Sequence, residues 1–144
     1  MNDEALKSAF GSLKLKDIIL HEARFSRPTA PPAEVEAMVR AKRIVQFGRA
    51  DAAESGAPTD LLQVMVALGV RVTGKEGDDA PVYVEIEADF LAEYEIVAEI
   101  TEESIKAFAS FNAVHNVWPF WRQHVFDVVQ RARLSPIEVP LFSG

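Results

Sequence analysis

The sequence predicts an α+β fold: a four-stranded antiparallel sheet followed by one short and one long helix. Four apolar segments separated by turn residues occupy most of residues 13–97, and the apolar period changes from that of a strand to that of a helix after residue 101. Strands and helices are therefore segregated along the chain, which is typical of the α+β class. The 144 residues are enough for one domain with its own core.

The third and fourth strands have the clearest pattern. Even positions from Leu62 to Val72 are all apolar, and residues 84–97 alternate between apolar residues and a row rich in acids. One buried face and one polar face are typical of an antiparallel sheet covered on one side only.

The first half of the chain gives a weaker pattern. A first strand is predicted over residues 13–25 and a second over residues 43–49. Between them, residues 33–42 have a helix-favouring composition and predict a short helical turn. Residues 52–58 contain Ser, Gly and Pro and predict a loop.

Two helices are predicted after the sheet. Thr101 or Glu102 starts a short helix over residues 103–111, and Asn116 is a candidate N-cap for a long helix from Val117 to about Leu134. Pro119 then falls in the first turn, where proline is tolerated. The stripe expected to face the sheet consists of Val117, Trp121, Val125, Val128, Val129 and Ala132, whereas Trp118, Phe120 and Phe126 lie outside its centre.

Composition excludes several classes of protein. There is no Cys, so disulfides, thiol nucleophiles and Cys-ligated zinc are impossible. The formal charge is -7, and residues 76–103 hold 11 of the 22 acids with no Lys or Arg, so we expect no nucleic-acid partner. No apolar run could span a bilayer and the N-terminus lacks the pattern of a secretion signal, so we expect a cytoplasmic protein without membrane insertion.

Motifs for catalysis and metal binding are missing. His21, His115 and His124 lack the spacing of metal ligands, and no Gly-rich phosphate loop or Gly-x-Ser-x-Gly elbow occurs. The acids of the fourth strand, among them Glu85, Glu87 and Asp89, are more typical of a solvated strand face than of paired catalytic carboxylates. We therefore expect no enzyme activity, no cofactor and no metal.

The segment Asn116-Val117-Trp118-Pro119-Phe120-Trp121-Arg122, with the extended Pro136 to Phe142 after the helix, resembles the bacterial protein-export chaperone family SecB. That family opens its main helix with Asn, an apolar pair, Pro, an aromatic residue and Arg, and follows the helix with a Pro-containing apolar tail. Leu15-Lys16-Asp17-Ile18 is similar to the family's first strand, and the order of strands and helices agrees over roughly residues 13–142.

The resemblance implies a single SecB-like chaperone domain over residues 1–144, of which 1–12 are expected to be flexible. It implies a homotetramer, a dimer of dimers, that holds unfolded preproteins in apolar grooves without ATP and passes them to the translocase motor SecA. The printed chain stops at Gly144, before the C-terminal helix and zinc-recruiting tail of the family. We therefore expect a short SecB-like form, of which some guard an antitoxin instead of serving export.

Three sets of candidate residues follow. Client binding is assigned to Phe25, Met38, Val39, Leu141 and Phe142, and docking of the motor to Asp17, Glu85 and Glu87, with the family's second acid at His21 or Glu22. The oligomer interface is assigned to Trp118, Phe120, Trp121 and Phe126, with burial in the core as the alternative, above all for Trp121.

Two other functions remain open at this point. An oligomeric adaptor for one folded partner would use the same exposed surface. A hot-dog-type thioesterase has a similar antiparallel sheet, but that fold places its long helix after the first strand, whereas here the long helix comes last.

Overall fold

A computed structural model of the chain describes residues 3–30, 37–56, 58–75 and 80–140. Four antiparallel strands form one sheet in the order β1-β4-β3-β2. The strands are β1 (Leu13–Ser26), β2 (Ala37–Ala50), β3 (Leu61–Gly74) and β4 (Val82–Ile96). The predicted α+β class and four-stranded antiparallel sheet are confirmed, and the boundaries of β1, β3 and β4 agree with the prediction within two residues.

The helices are α1 (Asp3–Ser12), α2 (Ala52–Ser55), α3 (Glu102–Phe108) and α4 (Val114–Arg131), with a π-helical turn over Ala109–Ala113 between α3 and α4. The run from α3 to α4 covers one face of the sheet, which we call the helix side, and the opposite face is called the open face. The alternation predicted for β3 and β4 is confirmed, because their even-numbered apolar residues are buried against this helical run. The helical residues that fill the core include Ile105, Phe108, Val114, Val117, Trp121 and Val125.

The start of α3 agrees with the sequence, but the start of α4 does not. Thr101 caps α3, and its side chain accepts a hydrogen bond from the backbone N–H of Ser104 at 3.1 Å. Asn116 is not an N-cap, because the helical backbone continues without a break through the π turn. Instead, the Asn116 side chain accepts a hydrogen bond from the Tyr94 hydroxyl at 2.8 Å, which ties α4 to β4. Pro119 consequently lies beyond the first turn.

The C-terminus of α4 is a Schellman motif. The N–H of Leu134 donates to the carbonyl of Val129 at 3.0 Å, and that of Arg133 to Gln130 at 3.2 Å. Arg133 has a φ of 56°, the left-handed conformation that this motif requires. The chain then turns back along α4 as an extended segment, residues 134–140, which we call the C-terminal strap.

The region around β2 corrects the prediction for residues 33–42. Ala37 to Lys42 belong to β2 and pair in register with Gly74 to Gly69 of β3, while residues 33–36 lie outside the described part of the chain. The helix-favouring composition is overridden because pairing with β3 satisfies the backbone of these residues. The predicted loop over residues 52–58 contains the short helix α2.

The helix α1 was not predicted, since residues 1–12 were treated as a flexible segment. Ala5, Leu6 and Ala9 of α1 are buried, and Ser12 bonds the segment after β4. Its hydroxyl donates to the carbonyl of Glu99 at 3.1 Å, and its carbonyl accepts from the N–H of Val97 at 2.8 Å. Packing against α3 therefore stabilises a helix that is too short to be recognised from its own sequence.

Candidate functional site

A row of apolar side chains runs along β1 on the helix side of the sheet. Its members pair directly with buried residues of β4, and paired residues of antiparallel strands point to the same face. We call this set the β1 apolar row; it consists of Leu15, Ile18, Leu20, Ala23 and Phe25.

Two register shifts in β1 create this row. They lie between Leu15 and Asp17 and between Leu20 and Glu22, and each adds one residue to β1 relative to β4. In a regular strand Ile18 and Leu20 would point to the face opposite Leu15, because side chains alternate. The shifts therefore bring all five apolar residues to one side.

The β1 apolar row is largely uncovered. Leu15, Leu20 and Phe25 are between 42% and 51% exposed, because α4 lies over the central strands rather than over the edge strand β1. Phe10 of α1 is exposed as well. The result is an apolar groove with β1 as its floor.

The end of α4 forms a wall of this groove. A cavity of about 370 Å³ separates Phe25 from Val128, Arg131 and Ala132. The Arg27 guanidinium ties the end of β1 to this wall, because its Nη2 donates to the carbonyl of Ala132 at 2.8 Å.

The residues predicted to bind clients do not form one site. Phe25 lies in the β1 apolar row, but Met38 and Val39 lie on β2 at the other edge of the sheet, about three strand spacings or about 14 Å away. Val39 shares the helix side with Phe25, whereas Met38 points to the open face. Leu141 and Phe142 lie outside the described residues. Leu15 and Leu20 were missed, because the register shifts hide them in the sequence.

The residues predicted to dock a motor are separated as well. Asp17 pairs with Glu93, eight residues along β4 from Glu85, so the two lie about 26 Å apart on the open face. Near Asp17 the open face carries Glu93 and Glu95 of β4, with Lys14 of β1 opposite Glu95.

The end of the open face with Glu85 and Glu87 is not an exposed acidic row, which corrects the prediction of a solvated face. Arg71 forms an ion pair with Glu85. Glu87 is 7% exposed and forms ion pairs with Lys42 from β2 and Arg24 from β1. The other three strands of the sheet thus supply the cations that β4 lacks.

Glycine makes the contact between Lys42 and Glu87 possible. Lys42, Gly69, Glu87 and Arg24 lie in one row across the four strands, with Gly69 between the lysine and the carboxylate. The Lys42 side chain crosses directly above Gly69, where a Cβ would lie 2.8 Å from its Cε. The hydrogen bond from Lys42, followed by that from Arg24, lowers the pKa of Glu87 to about 2 against the effect of burial.

The aromatic residues predicted at an oligomer interface divide into two groups. Trp121 is 3% exposed and packs in the core of the subunit, so the interface assignment does not hold for it and the alternative does. Phe120 and Phe126 are exposed on α4. Trp118 is half-buried, and its indole Nε1 donates to the carbonyl of Pro140 in the C-terminal strap at 2.7 Å.

Metal-binding and membrane-spanning features are absent from the part of the chain that the structure describes. There, no three His, Asp or Glu side chains are grouped so that they could hold a metal ion. No helix within those residues has the length and apolar character needed to cross a bilayer.

The strand order β1-β4-β3-β2, with the helical run across one face, defines a SecB-like fold. Among solved structures, the chain is similar to the Mycobacterium tuberculosis SecB-like chaperone Rv1957 in complex with a ChAD peptide from the Rv1956 HigA1 antitoxin. The TM-score is 0.80, the likeness covers 98% of each chain and the sequences are 17% identical. This confirms the SecB-like prediction at the level of the fold. No protein-family model matches the sequence, and neither does any curated protein.

Proposed function

We propose that the protein is a chaperone that holds non-native polypeptide segments in apolar grooves without ATP. The observation that carries the proposal is the exposed β1 apolar row, which lies on a rigid sheet beside α4. Contiguous apolar surface of this kind is typical of interaction sites. The regular stretches of the edge strand β1, none longer than five residues, also offer unpaired backbone groups to a short extended segment, as in β-strand addition.

The client class we propose is an antitoxin-like protein, with unfolded preproteins as the broader alternative. The support is the fold shared with Rv1957, which was solved with an antitoxin peptide. The formal charge of -7 is consistent with such a role, because like charges keep a protein with exposed apolar surface soluble.

The assembly we propose is a homotetramer in the cytoplasm. Phe120 is suited to be an interface anchor, since its ring is exposed on α4 and lines neither of the cavities beside the C-terminal strap. If SecA is a partner, the acidic end of the open face around Asp17 and Glu93 is the better docking site. Glu85 and Glu87 are already paired with cations of the same chain.

Suppression of aggregation tests the proposed function. A chemically unfolded protein is diluted into buffer without nucleotide, and light scattering is followed with and without the chaperone. Leu20→Ser combined with Phe25→Ser should reduce suppression several-fold. The matched control is Ile44→Ser on the open face, because Ile44 is 53% exposed and Leu20 51%. Equal suppression by both variants would contradict a client groove at β1. Thioester hydrolysis by the wild type would contradict the expectation from the sequence that the protein has no enzyme activity.

A further inference from the structure

We propose that the C-terminal strap acts as a built-in competitor of the client. Residues 137–140 occupy a groove along α4 that recognises the backbone of an extended polypeptide, and an apolar client segment binds there by displacing them. This inference rests on the proposed function, because it names a second surface for the same clients and its regulation.

The strap lies antiparallel to α4 in an extended conformation. Its first residue, Leu134, bonds to Val129, and its last described residue, Pro140, reaches Trp118 eleven positions earlier in α4. Six fully extended residues span about 20 Å, and the eleven helical residues beside them span about 16 Å, so most of the strap must be extended.

The groove recognises groups that every polypeptide has. Trp118 Nε1 donates to the carbonyl of Pro140 at 2.7 Å, and Arg122 Nε donates to the carbonyl of Val139 at 3.0 Å. The two donors are one helical turn apart and bond two consecutive carbonyls. Neither bond depends on a side chain of the strap, so another extended segment offers the same acceptors.

The side chains of the strap alternate between half-buried and exposed positions. Ile137 and Val139 are half-buried against the core, and Glu138 between them is exposed. An apolar residue at every second position is the pattern of many extended apolar segments. The strap is therefore an apolar peptide bound by its own subunit.

The groove is only partly filled. Cavities of about 400 and 450 Å³ lie along the strap, and the exposed ring of Phe126 lines both of them. The first also contacts Pro119 and Val139, and the second Val129 and Leu134. A segment with larger apolar side chains would bury the Phe126 ring, which the strap leaves in water.

The strap is held from one side only. Within the described residues, no backbone N–H of residues 135–139 donates a hydrogen bond, and both bonds from α4 are exposed to solvent. The strap joins α4 through Arg133, whose left-handed backbone allows the chain to leave the helix abruptly. Displacing the strap therefore breaks few interactions and leaves α4 intact.

The test releases the strap and measures binding by fluorescence anisotropy. Ile137→Asp combined with Val139→Asp removes both apolar contacts, and Glu138→Ala is the matched control on the exposed side. Two probes are used: a labelled peptide with the sequence of residues 134–144, and labelled reduced, carboxymethylated α-lactalbumin as a permanently unfolded chain. The double variant should bind the peptide at least tenfold more tightly than the wild type and α-lactalbumin at least threefold more tightly. The control should match the wild type.

Other results overturn the inference in distinguishable ways. Weaker or unchanged binding of α-lactalbumin by the double variant would mean that the strap lines the groove rather than competes for it. Failure of every form to bind α-lactalbumin would refute the proposed function and the competition together, even if the double variant bound the strap peptide. If circular dichroism shows that the double variant does not fold, the single variant Val139→Ser is used instead. It should also bind both probes more tightly than the wild type, by a smaller factor.

Discussion

Replacement of Gly69 by Ala tests the ion-pair row of the open face. A Cβ at this position would lie 2.8 Å from Cε and 3.0 Å from Cγ of Lys42, so the lysine chain must lift away from the sheet. Lifting it breaks the ion pair with Glu87, which is the main reason for the low pKa of that carboxylate. The substitution is otherwise favourable, because alanine constrains a strand better than glycine.

The sign of the stability change depends on the loss of the Lys42 ion pair and on the gain from replacing a strand glycine. A fall in the pKa of Glu87 from 4.5 to about 2 corresponds to about 3 kcal/mol for all its partners together. The cations lie on an open face where solvent screens them, so we assign about 1 kcal/mol to Lys42. The gain from replacing a strand glycine is about 0.5 to 1 kcal/mol. Gly69→Ala should therefore be nearly neutral in the wild type but stabilising by about 0.5 to 1 kcal/mol in a Lys42→Ala background.

A double-mutant cycle measured by urea unfolding gives this coupling energy, expected at about 1 kcal/mol at pH 7. Because the folded pKa of Glu87 is depressed, its contribution is complete above about pH 4.5 and is lost as the pH falls toward 2. The coupling should disappear with it. NMR titration should also show a higher pKa for Glu87 in Gly69→Ala. Additive effects at pH 7, or an unchanged Glu87 pKa, would refute the reasoning.

Three further substitutions test the helices. Arg133→Gly should raise the free energy of unfolding by about 0.5 to 1 kcal/mol, because Arg133 has a φ of 56°; a loss of stability would mean that its side chain matters more than its backbone. Thr101→Ala should lower the free energy of unfolding, measured by thermal unfolding, by about 1 kcal/mol, because the Ser104 N–H loses its acceptor. Thr101→Ser keeps a hydroxyl at this position and should retain most of the wild-type stability. Tyr94→Phe should cost about 0.5 to 1.5 kcal/mol in urea by removing the bond to Asn116, and a neutral result would show that this contact adds nothing to the docking of α4.

The elements that the sequence predicted well are those whose pattern is set by one buried face. β3 and β4 are central strands, so every second residue faces the core and the period is plain. The edge strands depend on other chain segments. Residues 37–42 form a strand because β3 pairs with them, and the register shifts of β1 hide its apolar row from any search for a simple period.

The candidate site was predicted only in part for a related reason. The acids of β4 form a continuous row in the sequence, but the cations that pair with Glu87 come from two other strands. The pairing register of the strands decides which cations lie beside Glu87, and this register cannot be read from the sequence. Phe25 was among the residues assigned to client binding, but the row to which it belongs was not recognised. Trp121 was assigned to both the core and an interface, because the helical period alone does not show where the buried face of a helix ends.

The register shifts of β1 have a consequence for self-association. They divide the strand into regular stretches of which the longest, Glu22 to Ser26, has five residues. Stacking of identical strands into amyloid requires six or seven regular residues, so β1 is too short in every stretch to serve as a template. The other edge, β2, pairs with β3 over its whole length without a shift, and it carries four cations instead, at Arg40, Lys42, Arg43 and Arg49. Pairing of two β2 strands would bring these cations together, so the sheet resists edge-to-edge association at one edge by shape and at the other by charge.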